Sequence, residues 1–116
     1  MARVKRGIVS KRKHNNLAEL TKGYRGTKHR LIKAATEAKL HAGAYAYHGR
    51  KLKKRDIRSL WIVRISEAAK KEGTNYSKLI SGLKKANIEI DRKILSDLVL
   101  NDPTTFTEIV NRSKAN

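Results

Sequence analysis

A chain of 116 residues with 28 Lys and Arg against 10 Asp and Glu, a formal charge of +18 and no cysteine has room for one ordinary domain and none for disulfides or thiolate metal sites. The charge is lopsided: residues 1–58 hold 18 Lys and Arg against 3 Asp and Glu, or +15, whereas residues 59–116 hold 10 against 7, or +3. A +15 segment cannot collapse on itself without bringing like charges together, so a self-contained globule is excluded for that half, which needs solvent or a polyanion.

In chain order, residues 1–9 are short, basic and without periodicity, and read as an extended tail. Ser10 is placed to cap a helix carrying Leu17, Ala18, Leu20 and Thr21, ended by Gly23. Gly23-Tyr24-Arg25-Gly26 then makes a tight corner. Two readings stand side by side there: an ordinary glycine cap, or a backbone that approaches a phosphate closely, with Tyr24 offering its ring to a base. From Thr27 to Glu72 there is no proline and Lys, Arg, Ala, Leu and Glu dominate, which predicts one long helix. Gly43 and Gly49 interrupt it, so a bend or a close approach of another backbone is expected near them. If all of it is helical, about 46 residues at 1.5 Å each make a rod near 70 Å, too long for a compact globule.

Within that stretch lies the seam of the chain, Arg50-Lys51-Leu52-Lys53-Lys54-Arg55-Asp56-Ile57-Arg58-Ser59-Leu60-Trp61-Ile62, where cations give way to apolar spacing. The sequence predicts a basic extension over residues 1–58 and a small globular domain over residues 59–116, near the lower size limit for folding alone. Leu60, Trp61, Ile65, Ala68 and Ala69 form one stripe, closed by Gly73. Asn75 can cap a helix with Leu79, Ile80 and Leu83. Ile88 and Ile90 lead to Asp91, a cap for a helix whose inner face is Ile94, Leu95, Leu98 and Val99. Asp102-Pro103 starts a last helix with Phe106, Ile109 and Val110. Strand signals are absent. The fold class is all-α: a long basic N-terminal helical arm running into a small C-terminal helical domain.

The chemistry this pattern supports is nucleic-acid binding. Lys and Arg neutralise phosphates and release counterions, and rings between them suit RNA, whose unpaired bases can stack. The candidate contacts in the arm are the basic residues around the corner, Lys22, Arg25, Lys28 and Arg30, with the rings of Tyr24, Tyr45 and Tyr47. The two later tyrosines could instead fill helix contacts. Trp61, inside the apolar stripe, reads as core before it reads as a stacking ring. His41 and His48 lie seven apart without a third ligand, no nucleophile stands with a histidine and an acid, and no glycine-rich phosphate loop follows a strand. Glu67 and Glu72 beside Lys70 and Lys71 look like solvated helix pairs. The expectations are therefore no enzyme, no cofactor, no metal and no small-molecule substrate. No apolar run approaches the ~20 residues that span a bilayer, residues 27–58 lack an apolar face for a membrane surface, and the basic N-terminus lacks the apolar stretch of a secretory signal. The expected location is the cytoplasm. A DNA-binding reading is weakened by the lack of a sustained heptad seam for a dimer.

Six ordered motifs carry a resemblance: Ala2-Arg3-Val4-Lys5-Arg6-Gly7, Lys22-Gly23-Tyr24-Arg25-Gly26, Ala44-Tyr45-Ala46-Tyr47, Lys54-Arg55-Asp56-Ile57-Arg58-Ser59-Leu60-Trp61-Ile62, Ser81-Gly82-Leu83-Lys84-Lys85-Ala86 and Asp91-Arg92-Lys93-Ile94-Leu95. Over essentially its whole length the chain resembles the L-twenty family, the twentieth protein of the bacterial large ribosomal subunit. The resemblance implies a structural, non-catalytic protein of the ribosome that binds large-subunit ribosomal RNA directly, is needed early in subunit assembly and touches neighbouring ribosomal proteins. It also implies, for some members, repression of translation through the C-terminal domain bound to the messenger RNA of their own operon. Carried onto this chain, it makes Arg3, Lys5, Arg6, Lys11, Arg12 and Lys13 buried RNA contacts. Tyr24 and Arg25 match the family's corner, Arg50, Lys51, Lys53, Lys54, Arg55 and Arg58 a central clamp, and Arg92 and Lys93 RNA-facing residues of the C-terminal domain. Three departures stand out: Asn15-Asn16 where lysines are common, His48-Gly49 in place of a more polar pair, and Ser66 in place of an asparagine. The location implied is the large subunit of a cytoplasmic or organellar ribosome.

Overall fold

The Pro-free run of good helix formers does become a single helix. In the computed structural model, which describes residues 3–115, the elements in order are α1 (Gly7–Leu20), a 3-10 turn (Gly26–His29), α2 (Ile32–Lys71), α3 (Tyr76–Lys85), α4 (Arg92–Asn101) and α5 (Pro103–Lys114). No strand occurs among the described residues, and the all-α reading stands. Among those residues no helix is long and apolar enough to cross a membrane. The chain divides into two compact units, the first ending at Lys51 and the second beginning at Leu52.

In the first unit the predicted tail is shorter than expected. Met1 and Ala2 lie outside the described residues, and helix begins at Gly7, with Arg6 at the cap position and no side-chain cap. Ser10 is therefore inside α1: its N–H already bonds Arg6 O at 3.0 Å. No proline interrupts Gly7 to Ser10, and each residue added to a helix already formed brings one more hydrogen bond, so propagation outruns the available serine cap. Thr21 closes α1 from its C-terminal end; it is fully buried, and its hydroxyl donates to Leu17 O at 3.1 Å. Among the described residues of this unit Ala35 on α2 is the other buried one, with Ser10, Leu17, Ala18, Ala34 and Ala38 half-buried. The arm thus buries small side chains and little else.

α2 starts five residues later than its sequence limit, because residues 26–29 tighten into the 3-10 turn and Leu31 N–H bonds Thr27 O at 2.9 Å before Ile32 takes up the helix. It passes unbroken through Gly43 and Gly49. Open space surrounds both positions, so the close backbone approach expected there is not made.

The second unit holds the core. Ile65 and Ala69 from α2, Leu79 and Leu83 from α3, Leu95 from α4, and Phe106 and Val110 from α5 form one buried cluster, each large side chain contributing about 1.5–3 kcal/mol by leaving water. α5 packs against both α3 and α4. Gly82 of α3 is buried because α5 comes so close: a Cβ there would lie 2.2 Å from Ser113 O. Two caps follow the sequence. Asn75 Oδ1 accepts from Lys78 N at 2.8 Å, and Asp102 Oδ1 accepts from Thr105 N at 3.2 Å ahead of Pro103. Asp91 occupies the cap position of α4 but its side chain makes no cap bond.

Several packing expectations are corrected. Leu60 and Ile94 are exposed, at 46% and 52%; Ser96 and Ser113 are buried where the inner faces were expected to be aliphatic. Trp61 is half-buried and lies outside the core cluster. Glu72 is not a solvated helix pair: its Oε1 accepts from Thr107 at 3.0 Å and its carbonyl accepts from Lys114 Nζ, tying the end of α2 to α5. Glu67 does form the expected exposed pair, 2.7 Å from Lys70.

Candidate nucleic-acid interface

The cations of the first unit are presented without counter-charge. Arg3, Lys5 and Arg6 precede α1, and Lys11, Arg12 and Lys13 lie on it; all six are exposed. Among the described residues Lys70 is the only Lys or Arg within ion-pair distance of a carboxylate, so every predicted contact keeps its charge for something outside the chain. No group of His, Cys, Asp and Glu among those residues could hold a metal ion.

The corner is a built turn. Gly23 and Gly26 both take positive φ, +82° and +71°, a conformation that side chains oppose. His29 Nδ1–H donates to Tyr24 O at 2.9 Å, closing the loop from the far side. Lys22, Arg25, Lys28 and Arg30 are all exposed around it. Tyr24 faces across to α2 and helps to line a groove of about 490 Å³ with Lys28, Ala34, Glu37, Ala38, His41, Ala42 and Tyr45. The floor is alanine, the walls are aromatic, and the rim is charged.

Helix geometry separates the two tyrosines of the Ala-Tyr-Ala-Tyr motif. Tyr45, four residues after His41, stacks on that imidazole with ring centroids 5.8 Å apart and planes 24° apart. Tyr47, two positions on, is turned by about 200° to the other side. It carries Lys51 Nζ over its ring at 4.6 Å. Neither tyrosine fills a helix contact: they are 71% and 57% exposed. Tyr45 therefore belongs to the groove, and Tyr47 to a separate cation–π pair.

Arg50 and Lys51, the last residues of the first unit, and Lys53, Lys54, Arg55 and Arg58 in the second are all exposed on α2. Every residue from 39 to 56 is exposed, so this length of helix is open around its full circumference.

In the second unit the two predicted contacts face different ways. Arg92 is half-buried, and its Nε donates to the Tyr76 hydroxyl at 2.8 Å; it borders a cavity of about 300 Å³ with Lys84 and Ile88. Lys93 borders another, of about 560 Å³, with Trp61, Arg64, Asp91, Ser96 and Asp97. Arg64 was not singled out from the sequence. Its place three residues after Trp61, on the same helix face, was the available signal. His41 was weighed only as a metal ligand, and its i,i+4 spacing to Tyr45 was the clue to stacking.

Two further findings come from comparison with known proteins. Residues 3–109 match the family described as Ribosomal protein L20. Two relatives named large ribosomal subunit protein bL20, from two strains of Chloroflexus aurantiacus, are each 55% identical over 115 residues, covering 99% of this chain and 97% of theirs.

Proposed function

The chain belongs to the ribosomal protein L20 family, structural proteins of the large ribosomal subunit, and on that premise we propose that it binds large-subunit ribosomal RNA directly and acts early in subunit assembly. The observation that carries this reading is the six unpaired lysines and arginines that α2 exposes over residues 39–56, on a length of helix that nothing covers. At about 100° per residue they fan over roughly 200° of the helix, so phosphates can neutralise them all only if RNA lies on more than one face of it. RNA that surrounds a helix must close after the helix has arrived, which favours arrival before the RNA finishes folding. The exposed rings of Tyr24 and Tyr45 support RNA over duplex DNA, because unpaired bases can reach them. Neighbouring ribosomal proteins are the remaining partners in this reading.

The test is fractionation of a cell lysate on sucrose gradients at moderate and at high salt, with the protein followed by immunoblot. Retention on the large subunit through the high-salt wash is expected of a helix enclosed by folded RNA. Release at modest salt would mark peripheral electrostatic binding and overturn the assembly role.

A second reading is favoured by a separate observation. The second unit has its own ring and cations, Trp61, Arg64 and Lys93, around one cavity. That arrangement supports an RNA site independent of the arm, as a translational repressor bound to the messenger of its own operon would need. Substituting Arg64 and Lys93 together by alanine in the full chain distinguishes the two. Loss of operon-messenger binding with ribosomal RNA binding retained supports the repressor role; equal loss of both removes it.

A further inference from the structure

The first 58 residues contain only three carboxylates, Glu19, Glu37 and Asp56, and one of them sits in the aromatic groove. Glu37 lines the groove between Tyr24 and Lys28 on one side and His41 and Tyr45 on the other. Its side chain is 74% exposed, and the imidazole Nε2 of His41 is 3.8 Å away, too far for a hydrogen bond. Among the described residues it accepts no hydrogen bond. A free carboxylate there repels the phosphates that the surrounding lysines and arginines attract, so it weakens RNA binding unless the bound RNA gives it donors.

We infer that the groove takes a single unpaired guanine, its ring stacked against the His41–Tyr45 pair and its Watson–Crick edge on Glu37. This inference rests on the RNA-binding reading above and adds base specificity to it. An ionised carboxylate is an acceptor with two oxygens side by side, and guanine is the one standard base whose Watson–Crick edge offers two adjacent donors, N1–H and the 2-amino group. Adenine and cytosine set a lone pair beside their single amino donor, facing a carboxylate oxygen. Uracil sets one N–H between two carbonyls. The volume, about 490 Å³, lies within the range of small-ligand clefts, about 300–1,000 Å³. The alanines at 34, 38 and 42 leave the floor flat enough for a ring to enter, and Lys28 on the rim is placed for the phosphate.

The test uses the full-length protein and four RNA probes: a uridine hexamer, and the same hexamer with one central G, A or C. All four carry the same backbone charge, so the electrostatic part of binding cancels between them. Affinities come from titrations followed by NMR at the ring signals of Tyr24 and Tyr45. The expected result is that the G-containing hexamer binds about tenfold more tightly than the other three, the discrimination typical of one bidentate pair. Glu37→Gln, a surface change that leaves the α2 amide pattern as a check on folding, should erase that preference. Four equal affinities, all with shifts at Tyr24 and Tyr45, would overturn the guanine assignment and leave the RNA-binding reading in place. No shift at either ring with any probe would overturn both for this groove. A preference for G that survives in Glu37→Gln would overturn the role of the carboxylate.

Discussion

Replacing Gly82 by alanine puts two opposed effects in direct competition. In an open helix the change stabilises by about 1 kcal/mol, because glycine is the poorer helix former. At Gly82 the added Cβ would lie 2.2 Å from Ser113 O and 3.0 Å from its carbonyl carbon, and both atoms are backbone, which no rotamer change can move. Restoring an ordinary carbon–oxygen contact of about 3.3 Å requires α3 and α5 to part by about 1 Å. A gap of that size forfeits roughly a quarter to a half of each dispersion contact it opens, here those of Leu79 and Leu83 against Phe106 and Val110. Overpacking of this kind costs about 1–3 kcal/mol and can exceed it, so after the helix gain the net loss is up to about 2 kcal/mol. For a small unit that is a fall in Tm of up to roughly 15 °C. Trp61, the single tryptophan, lies in the same unit and reports the transition by fluorescence. A higher midpoint for Gly82→Ala than for the parent protein would refute the close-approach argument.

Gly43→Ala and Gly49→Ala are the counterparts, since nothing lies within 4 Å of either added Cβ; each should favour helix by about 1 kcal/mol, read as increased far-UV dichroism with no loss in the midpoint reported by Trp61. The Thr104 and Thr105 hydroxyls, with the Thr105 N–H, hold the Asp102 carboxyl at about 2, below its ordinary 3.8. The stabilisation from this cap is therefore complete above about pH 4 and lost as pH falls through about 2. The Tm difference between the parent and Asp102→Asn should shrink over that interval, and a difference that grows on acidification would contradict it. Hydrogen exchange along α2 should be graded, with amides at residues 39–56 exchanging fast and those near Ile65 and Ala69 slowly, because only the latter helix turns are covered by a core. Uniform protection along the whole helix would refute that reasoning.

Much of this architecture was legible because it rests on local rules. Asn75 and Asp102-Pro103 announce helix starts by their own chemistry, and Leu79, Leu83, Phe106 and Val110 recur at helical spacing. The misses arise where tertiary geometry decides. Ile94 looks like a core residue in the sequence, but the phase at which α4 meets its neighbours buries Ser96 instead. Glu72 and Lys114 are 42 residues apart, beyond any local pattern. In the candidate interface, composition identified the cations as a class, yet spacing alone could not tell which ring each would accompany. Tyr24 meets Tyr45 across a groove only because the corner at Gly23 and Gly26 turns the chain back toward α2. Glu37 escaped notice because an acid among so many bases reads as ordinary solvation until its neighbours are seen.

The exposed middle of α2 also bears on how many copies a cell can keep. Residues 39–56 present six lysines and arginines on a helix with no covering layer, and proteases that cut after basic residues act on helices that open locally. A copy enclosed by RNA would be shielded at each of those bonds, and a surplus copy would not. Degradation would then scale with the unbound fraction alone, so that the amount of protein tracks the amount of its RNA by mass action. Pulse-chase turnover with and without continued RNA synthesis tests this: turnover of the protein should speed up when its RNA is withheld, and an unchanged half-life would sink the idea.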